Sequence, residues 1–279
     1  MLLLNIAFAI ALSTSIRPPA EAITAVHDIA YAGDANDAHR LDLYLPENRH
    51  SVPLVIFIHG GAFMTGDRRD YAQIGESLAQ QGIGVAIISY RLFPQSDAEG
   101  ATEDAAAACA WVVRHAAQYR LDSRAVFVVG HSAGAQIAAL IGTNPSYLAR
   151  FGLALSAIRG VVAISGAYDV RDLSGEPDSW QRVDGHIYGE SPQVRSALSP
   201  SVHIDAATPP IMLVCGLAED LRMCDFAVDF ASKLQAAGRS AHVLRVGGAD
   251  HMGLLKALIS RGDPLNEKLL DFLREPNNQ

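Results

Sequence analysis

Six stretches of the chain are apolar and rich in β-branched residues, most of them continuously so: 53–59 (PLVIFIH), 84–90 (GVAIISY), 125–130 (AVFVVG), 160–165 (GVVAIS), 210–216 (PIMLVCG) and 241–246 (AHVLRV). Continuous rather than alternating apolarity predicts strands covered on both faces. Between them lie helix-forming stretches at 71–81, 102–119, 133–141, 226–237 and 254–260. Strand–helix alternation of this kind predicts the α/β class, a mostly parallel sheet with helices on both faces. Two earlier segments, 24–31 and 40–45, alternate better and have no helix between them, so they predict an antiparallel edge. One domain over residues 23–279 accounts for the whole pattern. The interval 167–209 breaks the rhythm with roughly 40 residues carrying several Gly, Pro and Asp, more than a crossover helix needs. It predicts a cap-like insertion over a site, the other reading being a solvated loop.

The N-terminus follows a different pattern. Residues 1–13 are apolar and uncharged, Arg17-Pro18-Pro19 stops any helix, and Ala20-Glu21-Ala22 offers the small-x-small arrangement of a cleavage site. A signal peptide over 1–22 and an exported protein are expected, although no Lys or Arg precedes the apolar run. The alternatives are a loosely packed tail on a cytoplasmic protein or an uncleaved anchor. No apolar run reaches the ~18 residues of a spanning helix, so no stable membrane span is expected after processing. Thirty acidic residues against 22 basic ones give a net charge of −8, which argues against a nucleic-acid partner and leaves a small-molecule substrate. Three cysteines are too few for a disulfide scaffold.

The candidate chemistry begins at Gly130-His131-Ser132-Ala133-Gly134, a G-x-S-x-G between a predicted strand and a predicted helix. A serine at such a turn is held in a strained conformation that lifts its hydroxyl clear of the sheet. The strand and helix pass closely, so the positions two before and two after must be nearly free of side chain, as Gly130 and Gly134 are. Directly after the strand 53–59 comes His59-Gly60-Gly61-Ala62-Phe63. Acyl transfer needs backbone N–H donors aimed at a developing oxyanion, and a glycine-rich turn supplies them unobstructed. Gly61 and Ala62, with Ala133 after the serine, are the candidate oxyanion donors, and Gly60 could replace one of them. His59 ends the wrong strand for a base and is expected to brace this loop.

HGGAF, GHSAG and the segment Ser89-Tyr90-Arg91-Leu92-Phe93-Pro94 together resemble the α/β-hydrolase superfamily. Within it the chain is similar to the carboxylesterase group of hormone-sensitive-lipase-like, acetyl-xylan and feruloyl esterases and kynurenine formamidases. The resemblance covers about residues 41–255. It implies an eight-stranded sheet, a Ser-Asp-His triad in that chain order and no metal or organic cofactor. The base it implies is His251, in the loop after strand 241–246. The acid should follow strand 210–216, where Asp220 is expected, with Glu219 as its rival and Asp225 more distant. Asp250 adjoins His251 in sequence, but neighbouring residues rarely present their side chains to each other. The family loop is more often HGGGW or HGGGF, so Ala62 is a mild departure. The activity implied is hydrolysis of a small ester through an acyl-enzyme, with an amidase of the kynurenine formamidase type or a non-catalytic binding protein as alternatives.

No H-E-x-x-H, C-x-x-C or P-loop occurs. The charge run Asp67-Arg68-Arg69-Asp70 reads as a solvated loop. Tyr90 and Arg91 read as structural rather than as pocket residues. Cys109 suits a buried position in an Ala-rich helix; Cys215 and Cys224 read either as two unbridged thiols or, in an exported protein, as a bridge that would hold the acid loop in place.

Overall fold

Alternate residues of a strand face opposite ways, and here both directions lead into apolar cores. In the computed structural model, which describes residues 21–171, 185–219 and 222–277, Leu54, Ile56 and Ile58 enter one hydrophobic cluster while Val55 and Phe57 enter the other. That two-sided burial is why the inner strands read as unbroken apolar runs. The strands are β1 (Ile23–Ala30), β2 (Arg40–Pro46), β3 (Val52–Ile58), β4 (Gly84–Ile88), β5 (Leu121–His131), β6 (Gly160–Ile164), β7 (Ile211–Gly216) and β8 (Ala241–Val246). They form one eight-stranded sheet in the order β1-β2-β4-β3-β5-β6-β7-β8. β1 and β2 pair antiparallel, as does β2 with β4, and every other pairing is parallel. The α/β class, the antiparallel edge and the eight strands agree with expectation.

Helices Ala98–His115, Ala133–Thr143 and Met223–Ala236 cover one face. Helices Ala72–Ala79, Gly253–Ile259 and Pro264–Arg274 cover the other. The first helix of this set to depart from expectation begins at Ala98, not 102, because the Asp97 side chain accepts from the Gly100 amide at 2.9 Å and caps it there. Pro264–Arg274 was not predicted. Asp263 caps it, Pro264 occupies its first turn, and it buries Leu265, Leu269, Phe272 and Leu273 at helical spacing.

The first 20 residues, and with them most of the expected signal peptide, lie outside the described residues, as do 172–184 within the interval 167–209. Several residues at the described ends of that interval pack against the domain. Tyr168 stacks on Phe230 with ring centroids 4.8 Å apart. Tyr188 donates to Gln136 on the helix after Ser132 at 2.5 Å, and Gln136 in turn donates to the Leu198 carbonyl at 3.1 Å.

The charge run 67–70 departs from its solvated reading at one residue. Arg68 is completely buried. Its guanidinium meets Asp28 and Asp42, the latter at 3.1 Å, and its amide donates to Ser89 Oγ at 3.0 Å. Arg68 therefore pins the end of the glycine-rich loop to β2 and to the end of β4.

Candidate active site

Ser132 sits between the end of β5 and the helix Ala133–Thr143 with φ 56° and ψ −121°. A non-glycine residue in that region costs about 1–3 kcal/mol and persists only where its surroundings impose it. They do so here. The Ser132 amide donates to the Ile164 carbonyl at 2.8 Å. A Cβ on Gly130 would lie 2.0 Å from the Gly134 carbonyl oxygen, and one on Gly134 would lie 2.1 Å from that of Ile58.

The loop after β3 lies directly against this elbow, since a Cβ on Gly60 would fall 2.9 Å from the Ser132 Cβ. Gly61, Ala62 and Phe63 follow with φ of 113°, 52° and 60°. This left-handed run turns the Gly61 carbonyl back to accept from the Met64 and Thr65 amides at 2.9 and 3.0 Å. Among the described residues no acceptor takes the amides of Gly61, Ala62 or Ala133. The Ala133 amide also opens a helix, at the positive end of its dipole. His59 braces the loop, its Nδ1 donating to the Gly60 carbonyl at 2.7 Å while the ring stacks on Tyr90 at 4.3 Å. Tyr90 donates to the His59 carbonyl at 2.9 Å. Arg91 makes a two-point contact with Asp104, at 2.8 and 2.7 Å. Both residues are structural, as read.

His251 follows β8, and its Nδ1 donates to Glu219 Oε2 at 3.0 Å. The Glu219 side chain is only 1% exposed. Its other oxygen accepts from the Gly216 amide and from Ser165 Oγ, each at 2.6 Å. Burial alone would raise the Glu219 pKa, but the bonds from His251, Ser165 and Gly216 outweigh it and hold the carboxyl below the ordinary glutamate value. The loops bearing acid and base are stitched together by Leu217 N to Val246 O at 2.9 Å and Ala218 N to Ala249 O at 3.1 Å.

Asp220 lies outside the described residues, and the carboxylate facing His251 is that of Glu219. The physical reason is the turn Gly216–Glu219, which folds the Glu219 carboxylate back onto the Gly216 amide and so directs it inward. Asp250 instead caps the following helix, accepting from the Gly253 amide at 2.6 Å, and Asp225 pairs with Arg222 at the surface.

Two supporting residues were not foreseen. Ser165, at the end of β6, steadies Glu219 across the sheet. His131 donates from Nε2 to the His251 carbonyl at 2.9 Å, and the two rings lie 4.5 Å apart. Burial, followed by the charge on His251, pushes the His131 pKa down to about 4, so it works as a neutral brace. Both roles depend on contacts between distant segments and leave no mark in local sequence.

Cys215 and Cys224 are bridged, closing the segment that contains Glu219. Cys109 is free and buried. Among the described residues no group of three or more His, Cys, Asp or Glu could hold a metal ion. Met64, Phe93, Leu217 and Met252 all stand exposed on loops that follow β3, β4, β7 and β8. A groove of about 770 Å³ runs from Gly61 and Thr65 past Tyr71 and Ile74 to Met252 and Leu255.

Comparison with known proteins gives a consistent picture. The model of the BD-FAE family matches residues 41–234. The isoprenylcysteine alpha-carbonyl methylesterase of Arabidopsis thaliana is 28% identical over 265 residues, covering 86% of this chain and 60% of that protein. The kynurenine formamidase of Danio rerio is 23% identical, covering 88% of this chain and 81% of its own length. Among solved structures, a truncated carbohydrate esterase from gut microbiota superposes with a TM-score of 0.78 at 24% identity, covering 92% of this chain and 97% of that one. The chain spans about half to three-fifths of the length of the plant methylesterases it matches first.

Proposed function

Since this chain belongs to the BD-FAE family, within the α/β-hydrolase carboxylesterase group, we propose that it hydrolyses carboxylic esters by acyl transfer through Ser132, His251 and Glu219. The observation that carries this reading is the 3.0 Å bond from His251 Nδ1 to the buried Glu219 carboxylate, in the loop that His131 ties to the serine elbow. That bond fixes the tautomer of the imidazole and leaves Nε2 to receive a proton.

Ser132 Oγ attacks the ester carbonyl carbon as His251 Nε2 takes the hydroxyl proton. Glu219 stays ionised and stabilises the imidazolium. The carbonyl oxygen, now negative, accepts from the amides of Gly61, Ala62 and Ala133. Collapse expels the alcohol, which takes the proton from His251. Water then attacks the acyl-enzyme by the same route and regenerates Ser132.

Exposed apolar side chains on the loops after β7 and β8, Leu217 and Met252, favour esters with an apolar arm over strongly charged ones. Fluorophosphonate treatment of the folded protein should leave one adduct, at Ser132, and Ser132→Ala should abolish both adduct and ester turnover. No adduct would favour a binding protein on a hydrolase fold. The similarity to a kynurenine formamidase supports a second reading, an amidase using the same groups. N-formylkynurenine turned over far faster than every p-nitrophenyl ester would establish that reading in its place. Export remains part of the proposal, supported by the apolar residues 1–13 and by a disulfide of the kind that persists in oxidising compartments. Intact-mass analysis of the exported protein should find a chain beginning near Ile23.

A further inference from the structure

We propose that the Cys215–Cys224 disulfide positions Glu219, and that reducing it slows the chemical step while leaving substrate binding nearly unchanged. This rests on the reading of Ser132, His251 and Glu219 as the catalytic groups.

The Glu219 carboxylate makes its three contacts from the middle of the bridged segment, four residues after one cysteine and five before the other. Apolar burial anchors that segment at its helical end, where Met223 is 1% exposed, and not at Leu217 or Ala218. Leu217 is 62% exposed and Ala218 is exposed as well. On the β8 side two backbone hydrogen bonds hold Leu217 and Ala218. On the far side the chain must return to the helix Met223–Ala236, and there the bridge fixes Cys224 to the completely buried Cys215 at the end of β7. The Arg222–Asp225 pair on that side is solvent-exposed, and such pairs contribute little. The disulfide is thus the covalent closure of the loop that carries the Glu219 carboxylate inward to His251.

The exchange itself is balanced. A thiolate of a small dithiol attacks the sulfur of Cys224, the less buried of the two. Cys215 leaves as a thiolate and takes a proton, and the second thiol of the reductant resolves the mixed disulfide. Two electrons and two protons pass to the protein, and the reductant leaves as a cyclic disulfide. Misplacing a group that orients a catalytic base by about 1 Å can cost on the order of 10²-fold in rate.

The full-length protein, treated with dithiothreitol and assayed on p-nitrophenyl butyrate, should lose about 10- to 100-fold in kcat with KM changed less than about twofold. Reoxidation should restore the rate. Cys215→Ala/Cys224→Ala should match the reduced protein and ignore dithiothreitol. In Glu219→Gln, reduction should change kcat less than about twofold, because two perturbations acting through one carboxylate are not additive. Peptide mapping that shows complete reduction with an unchanged kcat overturns the proposal. So does a loss carried by KM, or a full loss persisting in Glu219→Gln. Cys215 and Cys224 both found as free thiols in the untreated protein, or loss of the melting transition at assay temperature on reduction, also overturn it. Failure of the functional reading looks different: the oxidised protein itself then forms no Ser132 adduct.

Discussion

Gly134 faces the carbonyl oxygens of Ile58 and His59, at 2.1 and 2.5 Å from where a Cβ would stand. Both obstacles are backbone, so a methyl group there must push the helix off the sheet. Gly134→Ala should destabilise the fold by about 3 kcal/mol, measured as a lowered urea midpoint with an unchanged slope. At the same scale, Glu219→Gln should lower kcat on the order of 10⁴-fold, while Asp220→Asn should keep nearly wild-type turnover. Comparable losses in the two variants would reopen the identity of the acid. Ser132, His251 and the turn at Gly60–Ala62 were legible in the sequence because each is a local pattern attached to a predicted strand end. The acid was legible only to within one residue. Choosing between 219 and 220 requires knowing that the Gly216 amide folds back onto the carboxylate, which is a property of the turn and not of its composition.

Elements were read well where burial is two-sided and poorly where it is not. Each of the eight strands lies within a few residues of its predicted span: β3 to β7 because burial on both faces writes itself as unbroken apolarity, and the antiparallel β1 and β2 because their residues alternate. The helix Pro264–Arg274 escaped because only one of its faces is apolar and the rest is charged. Its Asp-Pro start was nonetheless a usable signal. The charge run 67–70 misled because composition cannot distinguish a solvated arginine from one enclosed by carboxylates supplied by β1 and β2. Arg68→Ala would leave Asp42, whose side chain is 2% exposed, without its guanidinium partner. Breaking a buried pair in this way costs about 3–5 kcal/mol, so thermal denaturation should show a large fall in melting temperature. A change within about 0.5 kcal/mol would mean the network is not stabilising.

For the molecule as a whole, the enclosed histidines set an acid limit. His131 is pushed down to about 4, and burial lowers His59 as well. The unfolded chain takes up these protons near the ordinary histidine value of about 6.5, before the folded protein does. Stability is therefore complete above about pH 6.5 and is lost as pH falls toward 4. The loss attributable to His131 is on the order of 3 kcal/mol. Chemical denaturation at pH 7.5 and 4.5 should register this fall, and His131→Asn should flatten it. The groove between the turn at Gly61 and the loop at Met252 also belongs to this scale, because its walls come from segments far apart in the chain and mix Ile74, Met252 and Leu255 with Asp70, Gln73 and Lys256. Activity on a series of alkyl acetates should rise with the length of the alcohol, and a flat series would mean the groove is not used.

Phe272 lies edge-on to Phe127 with ring centroids 6.0 Å apart, and a Cβ on Gly160 would meet its ring at 2.8 Å. The last described helix is thus a wedge beneath the two strands that deliver Ser132 and Ser165. Trimming the chain before Pro264, by a protease or by an engineer seeking a minimal enzyme, would knock out the keystone of an arch whose visible machinery stands entirely on the other side.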